Sequence, residues 1–198
     1  CLNPLHTALA IFGCLLGHKT IADEMQDSEL SELVRRMAYD EGLKAVVDPK
    51  IISPLEFVDE VLNKRFSNPY IVDTPQRIAT DTSQKLGIRY GETIKAYEQR
   101  DDLEVSSLKY IPLVIAGWLK YLQGIDDEGG TFKLSSDPLM DMLMENRHDI
   151  KVLLSNTSIF AVNLYELGLG GKIEALYHEM NGGKGGIRRT IRNLLDQK

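Results

Sequence analysis

The sequence lacks a long apolar run, an excess of basic residues and a set of cysteines, and each absence excludes a class of protein. The longest apolar runs, residues 8–16 and 111–119, are shorter than the roughly 18 residues that a membrane-spanning helix requires. The net charge of −6 argues against a nucleic-acid-binding protein, because such proteins present a basic surface. Cys1 and Cys14 are too few for a disulfide scaffold, so we expect a protein of the cytoplasm.

Motifs of several enzyme classes are also missing. The phosphate-binding pattern G-x-x-x-x-G-K-[ST] fails because Gly171-Lys172 is followed by Ile173. Gly168-x-Gly170 lacks the third glycine and the preceding strand of a dinucleotide fingerprint. No G-x-S-x-G, H-E-x-x-H or C-x-x-C pattern occurs, so we expect neither an α/β-hydrolase nor a metal site. The chain is therefore not predicted to be a redox enzyme that works alone.

What the sequence does contain is helical periodicity along most of its length. Helices are predicted over residues 3–16, 28–39, 92–99, 106–122, 137–146, 172–180 and 186–196. Ser53-Pro54-Leu55-Glu56 has the pattern of a capping box and predicts a further helix through about residue 66. Residues 83–89 are predicted to form a loop around Gly87, and residues 44–52 carry a weak strand signal that Asp48 and Pro49 interrupt. The pattern indicates one all-α domain over residues 1–198.

Two segments of the chain combine asparagine, histidine, arginine and lysine at fixed spacings. The first, residues 2–10, reads L-N-P-L-H-T-A-L-A, and the second, residues 68–81, reads N-P-Y-I-V-D-T-P-Q-R-I-A-T-D and continues to Lys85. Both resemble the mannitol dehydrogenase family of long-chain polyol dehydrogenases, and within it the fructuronate and tagaturonate reductases. The first matches the family signature Lys…Leu-Asn-x-x-His-x-x-Leu-Ala from its leucine onward. The second keeps the family's eight-residue spacing from arginine to lysine.

The resemblance implies an oxidoreductase of two domains that interconverts a keto-sugar or keto-uronate and its polyol or aldonate. This chain would be the helical, substrate-binding C-terminal domain, with a fold like that of the 6-phosphogluconate dehydrogenase C-terminal domain. NAD or NADP would be bound mainly by an N-terminal Rossmann domain that residues 1–198 do not include. The family's general acid/base lysine would precede Asn3, where only Cys1 and Leu2 stand, so we expect the isolated chain to be inactive. The expected partners are a polyol or hexuronate and the Rossmann domain, with neither nucleic acid nor membrane.

The same resemblance implies roles for four polar residues, to which Arg89 is added as a further candidate cation. Asn3 and His6 are expected to be catalytic, because their spacing at a helix start places both side chains on one face. From there they can form hydrogen bonds to the carbonyl oxygen on which negative charge develops. Asn3 is also expected to be the helix N-cap through its amide oxygen. Arg77, Lys85 and Arg89 are expected to bind substrate, since a uronate carboxylate requires cations.

Each of these assignments has a structural alternative. A histidine on an apolar helix, such as His6, is by default a satisfied residue of the core or rim. Arg77 has acidic neighbours four residues away on either side, Asp73 and Asp81, with which it could pair locally. The basic segment 184–192 favours a solvated helix face over a phosphate site. For the whole chain, the alternative is a non-catalytic helical module for ligand binding or dimerisation. In such a module, Asn3, His6, Arg77 and Lys85 would be dispersed over the surface.

Overall fold

The structure, a computed structural model, describes residues 2–46, 50 and 53–197 apart from the side chain of Leu2, and these residues are mostly helical. The α-helices are α1 (Leu2–Leu16), α2 (Ile21–Gln26), α3 (Ser28–Arg36), α4 (Leu43–Ala45), α5 (Pro54–Glu60), α6 (Pro75–Ile78), α7 (Thr82–Leu86), α8 (Glu92–Gln99), α9 (Tyr110–Tyr121), α10 (Met140–Asn146), α11 (Ile150–Leu154), α12 (Thr157–Phe160), α13 (Gly170–Met180) and α14 (Gly186–Asp196). The predicted all-α class is confirmed.

Shorter helical turns connect several of these helices. π-Helical turns are formed by Met37–Gly42 between α3 and α4, Val61–Arg65 after α5, and Gly87–Gly91 between α7 and α8, and Val105–Ser107 is a 3₁₀ turn. Over the described ranges there is no β-strand, and an isolated antiparallel bridge joins Ile125 to Thr131. Most of the predicted strand signal at residues 44–52 lies outside the described residues. Among the helices that the structure describes, none is long and apolar enough to cross a bilayer.

Helix α9 lies at the centre of the fold, where all of its residues are buried. It packs against α1 and α13. Gly117 permits the close approach of α1, because a Cβ at this position would lie 2.8 Å from Cζ of Phe12. The fully buried Trp118 packs edge-to-face on Phe160, with ring centroids 5.6 Å apart. The apolar core thus fixes α1, which carries the first predicted site motif.

The predicted loop at residues 83–89 is wrong, because these residues continue α7 into the π-helical turn. The start of α7 is capped by Asp137, which lies in a distant part of the chain. Its carboxylate accepts a hydrogen bond from the backbone N–H of Ser83 at 2.9 Å and another from the hydroxyl of Ser83. Gly87 serves close packing against α12 and not a turn, since a Cβ there would lie 2.9 Å from the carbonyl oxygen of Ile159. Glycine is therefore required at position 87 by a contact with a distant part of the chain, whereas the local sequence pattern predicted a loop there.

In the basic segment 184–192, which is predicted to be a solvated helix face, Lys184, Arg189 and Arg192 are exposed and Arg188 is half-buried. Arg188 of α14 forms ion pairs with Asp27 at 2.6 Å and with Glu29 at 3.0 Å, both at the start of α3. Arg192 forms another pair with Glu29, at 2.7 Å. These arginines therefore join α14 to α3.

Candidate functional site

Two adjacent grooves lie where α1 begins, and Phe57 of α5 lines both. The first, here called the Asn3 groove, has a volume of about 660 Å³, and Asn3, Lys85 and Arg89 are on its wall. The second, the His6 groove, has a volume of about 520 Å³ and is lined by His6 among others. The structure therefore brings four of the five predicted residues to one region, and the fifth, Arg77, lines neither groove.

Asn3 lies inside the first turn of α1, and the prediction that it caps the helix is wrong. The helix already includes Leu2, so the backbone of Asn3 is helical and its carbonyl oxygen accepts a hydrogen bond from Oγ1 of Thr7 at 3.1 Å. The Asn3 side chain is exposed and forms no hydrogen bond with any residue that the structure describes. Its amide can therefore donate to, and accept from, a molecule in the groove.

His6 is one helical turn further along α1 and is largely buried. Its ring packs on Phe66 with centroids 5.2 Å apart, and its Nε2 lies 3.6 Å from Oδ2 of Asp73. The pKa of His6 is lowered to about 4, chiefly by burial. The negative charge of Asp73 raises this pKa, but it does not offset burial, and the nearby arginines, chiefly Arg89, lower the pKa further. The imidazole is therefore neutral near pH 7, with one nitrogen that donates and one that accepts a hydrogen bond.

Arg77 takes the local alternative that its sequence spacing allowed. Its guanidinium, 62% exposed, donates to Oδ1 of Asp73, four residues earlier. Asp73 itself is fixed to α2, because its carbonyl oxygen accepts from the backbone N–H of Ile21 at 3.0 Å. The sequence predicted Asp73 only as a partner of Arg77. Its contact with His6 could not be predicted, because that contact depends on how α1 and α6 pack together. Asp73 thus links Arg77 to His6.

Lys85 projects from α7 into the Asn3 groove and also fixes the turn that precedes its own helix. Its Nζ donates to the carbonyl oxygen of Ile78 at 3.1 Å and to that of Thr80. An ammonium group has three donors, so one remains for the groove. Burial, followed by the charge of Arg89, lowers the pKa of Lys85.

Two residues near the grooves, Thr7 and Tyr90, were not predicted to belong to the site. The Arg89 guanidinium donates to Oγ1 of Thr7, and the buried hydroxyl of Tyr90 donates to the carbonyl oxygen of Pro4 at 2.7 Å. The only sequence signal was that each stands next to a predicted residue, His6 and Arg89 respectively. Their partners lie more than eighty residues away along the chain.

Exposed apolar side chains surround the two grooves. Phe57 lines both, Ile71 lines the His6 groove, and Ile88, 77% exposed, lines the Asn3 groove. Tyr70 and Val72 flank Ile71 and are 91% and 73% exposed. Large apolar residues exposed together are typical of binding surfaces. As for metals, no three His, Cys, Asp or Glu residues in the described part of the chain are placed to hold an ion.

A family of known proteins resembles this chain. The family "mannitol dehydrogenase C-terminal domain" matches residues 1–181. The whole chain is 56% identical to part of the D-mannonate oxidoreductase of Thermotoga maritima, of which it covers 39%. Over 90% of its length it is 28% identical to the D-mannonate oxidoreductase of Escherichia coli, of which it covers 37%.

Among solved structures, the whole chain superposes on the mannitol 2-dehydrogenase of Pseudomonas fluorescens, determined as a ternary complex with NAD and D-mannitol. The TM-score is 0.87 at 24% sequence identity, and the match covers 39% of that protein. The likeness shows that the two share a fold. The chain spans about two fifths of the length of the relatives it matches.

Proposed function

We propose that this chain, which belongs to the mannitol dehydrogenase family as its C-terminal domain, binds the substrate of a nicotinamide-dependent oxidoreductase. One observation carries the proposal. Asn3, Lys85 and Arg89, from separate helical segments, line one groove, and a neutral His6 lies one helical turn from Asn3. Hydrogen-bond donors and cations converging on one concave surface are what recognition of a sugar oxygen or carboxylate requires.

The substrate class we propose is an open-chain sugar acid, with a keto-uronate as the oxidised form and its aldonate as the reduced form. Lys85 is the support for this choice, because it forms no ion pair with a carboxylate in the described residues. A carboxylate of the substrate would supply that partner. Relatives of this chain are named D-mannonate oxidoreductase, and mannonate carries such a group. Arg77 is a weaker candidate, since Asp73 already occupies its guanidinium.

In the reduction of a ketone, negative charge builds on the carbonyl oxygen. The amide of Asn3 and the neutral imidazole of His6 can each donate a hydrogen bond to that oxygen. Because its pKa is about 4, His6 acts as a hydrogen-bonding group and not as the acid near pH 7. We assign the proton to a lysine N-terminal to Cys1, following the family signature. A bound nicotinamide, NAD or NADP, would donate or accept the hydride.

We propose that an N-terminal Rossmann domain of the same polypeptide binds the cofactor and covers the grooves. The described residues of this chain form no strand, whereas dinucleotide binding of this type uses a glycine-rich turn between a parallel strand and a helix. The exposed Phe57, Ile71 and Ile88 at the groove walls support the docking of a second domain there. We also propose a reducing, cytoplasmic location, in keeping with the free and buried Cys14.

The experiment compares the 198-residue chain with a full-length protein that carries it. We expect the full-length protein to reduce D-fructuronate with NADH or NADPH. The chain alone should neither reduce fructuronate nor bind NADH. Lys85→Met should raise KM for fructuronate, while the exposed Lys19 provides the matched control Lys19→Met. Tight NADH binding by the chain alone, or a full-length protein that reduces fructose and leaves fructuronate unchanged, would overturn the proposal.

A second candidate function is a non-catalytic dimerisation module. The exposed apolar residues around the grooves favour it, because they are also what self-association requires. This function predicts that the chain alone is a dimer by sedimentation, and that Tyr70→Ser with Val72→Ser makes it a monomer. A monomeric wild-type chain at high concentration would exclude it.

A further inference from the structure

Two consecutive residues of the π-helical turn Gly87–Gly91 contact the start of α1. The guanidinium of Arg89 donates to Oγ1 of Thr7, whose hydroxyl in turn donates to the carbonyl oxygen of Asn3 at 3.1 Å. The hydroxyl of Tyr90, which is fully buried, donates to the carbonyl oxygen of Pro4 at 2.7 Å. π-Helical turns are frequent at functional sites because the extra residue redirects the side chains around it. Here the turn directs both side chains to the first two turns of α1.

We propose that Arg89 is a positioning residue, which through Thr7 holds the turns of α1 that carry Asn3 and His6 in place beside Lys85. The role rests on the function proposed above and revises the expectation that Arg89 binds substrate. Arg89 also lines the Asn3 groove, but its effect on Asn3 and His6 is assigned to its hydrogen bond with Thr7. Its contact with Thr7 is made within the chain, so it can fix the site before substrate enters.

No carboxylate of the described residues neutralises the charge of Arg89. The guanidinium is half-buried and has no carboxylate within ion-pair distance among the residues described. A charge in such a place acts on its neighbours more strongly than one in water. The charge of Arg89 lowers the pKa of Lys85 and that of His6. In both cases burial lowers the pKa more than this charge does.

The groups that face His6 make its ionisation a measure of where Arg89 sits. Asp73 raises the pKa of His6, whereas Arg89, Arg65 and Arg77 lower it, with Arg89 the strongest of the three. Removing Arg89 removes the main cation that opposes protonation of His6. The pKa of His6 should then rise from about 4 towards its ordinary value.

The first experiment follows His6 by NMR titration in the 198-residue chain without substrate, with His6→Gln used to assign the resonance. Arg89→Met should raise the pKa of His6, and Arg89→Lys, which keeps the charge, should restore it. Thr7→Val removes the hydroxyl that accepts from Arg89 and keeps the charge of Arg89. The pKa of His6 should therefore stay low, while the side-chain amide resonances of Asn3 shift. If Arg89→Met does not fold, the Asn3 resonances of Thr7→Val still decide. An unchanged His6 pKa in a folded Arg89→Met chain, or unchanged Asn3 resonances in Thr7→Val, would overturn the proposal.

The second experiment separates positioning from substrate binding in a full-length protein. A displaced first turn of α1 should lower kcat for fructuronate by roughly 100-fold in Arg89→Met, with a smaller change in KM. A rise in KM alone, with kcat retained, would show that Arg89 is a substrate clamp and end the positioning role. If the wild-type protein failed to reduce any hexuronate, the proposed function would fall, but the NMR result on the isolated chain would stand or fall separately.

Discussion

Oδ2 of Asp73 lies 3.6 Å from Nε2 of His6, while Oδ1 of the same carboxylate accepts a hydrogen bond from Arg77. One carboxylate thus joins the two segments whose sequence motifs identify the family. Because His6 is neutral near pH 7, its contact with Asp73 is a polar contact and not an ion pair. The negative charge of Asp73 nevertheless raises the pKa of His6 against the opposing effect of burial.

The first prediction concerns Asp73→Asn, which removes this charge and keeps the shape of the side chain. We expect the pKa of His6 to fall below its present value of about 4. The loss of stability should be below about 1 kcal/mol, because the Asp73–Arg77 pair is largely exposed on the arginine side. NMR titration of His6 and urea denaturation measure the two effects. Asp81→Asn is the control, since Asp81 is also four residues from Arg77 but does not contact it; equal pKa changes in both variants would contradict the prediction.

Most of the residues that line the candidate site could be predicted from the sequence, but their contacts could not. Asn3 and Lys85 were predicted from two motifs and Arg89 as a further cation, and the structure places all three on one groove. The N-cap role predicted for Asn3 is wrong, because the described helix already includes Leu2. Arg77 was expected to bind substrate, and the structure instead pairs it with Asp73. Motifs specify residue types, whereas pairings depend on how distant helices pack.

The same division applies to the fold. The predicted helices at residues 92–99 and 186–196 agree with α8 and α14 because local periodicity and propensity suffice there. The predicted start at residue 106 is four residues before that of α9. The loop predicted around Gly87 is helical, since Asp137 caps that helix from more than fifty residues away. Local patterns cannot report such a cap.

The second prediction concerns two glycines, Gly13 of α1 and Gly171 of α13. A Cβ at Gly13 would lie 2.6 Å from Cγ of Pro75 and would also clash with the Glu24 carboxylate, whereas a Cβ at Gly171 meets nothing within 4 Å. Gly13→Ala should therefore destabilise the chain by about 1 to 3 kcal/mol through overpacking. Gly171→Ala should stabilise it by up to about 1 kcal/mol through helix propensity. Urea denaturation tests both, and equal effects of the two substitutions would contradict the argument.

The third prediction concerns the pH dependence of stability that Glu24 causes. Its side chain is fully buried, and both carboxylate oxygens lack a hydrogen-bond partner among the residues that the structure describes. Burial, with the charges of Asp27 and Asp23 added, raises the pKa of Glu24 well above its ordinary value. The folded state therefore holds a proton that the unfolded state releases above its pKa of about 4.3.

The sign of the effect follows from proton linkage. Glu24 contributes stability below the unfolded pKa, and this contribution is lost as pH rises towards the raised pKa of the folded state. Glu24→Gln cannot ionise, so the free energy of unfolding should fall less from pH 5 to pH 8 in this variant than in the wild type. The exposed Glu179 supplies the control Glu179→Gln, which should keep the wild-type slope. Parallel pH profiles for wild type and Glu24→Gln would refute the prediction.

The fourth prediction concerns Glu41, whose buried carboxylate caps the N-terminus of α9 from another part of the chain. Its oxygens accept hydrogen bonds from the backbone N–H groups of Lys109 at 2.5 Å, Tyr110 at 2.8 Å and Ile111 at 2.8 Å. These donors have no partner within the helix, because the first turn of any helix leaves its N–H groups unpaired. Burial nevertheless raises the pKa of Glu41, since desolvation outweighs the three hydrogen bonds.

Glu41→Ala should leave these N–H groups buried without acceptors and cost at least about 2 kcal/mol. Glu41→Gln keeps one acceptor oxygen and nearly the same side-chain volume, so its loss of stability should be smaller. The difference between the two variants separates the contribution of the hydrogen bonds from that of side-chain packing. Glu104→Ala is the control, because Glu104 precedes the same region but its side chain contacts none of these amides. Urea denaturation gives the free energies, and hydrogen exchange at Tyr110 and Ile111 reports the cap directly. Slow exchange of both amides in a stable Glu41→Ala chain would mean that another acceptor caps α9.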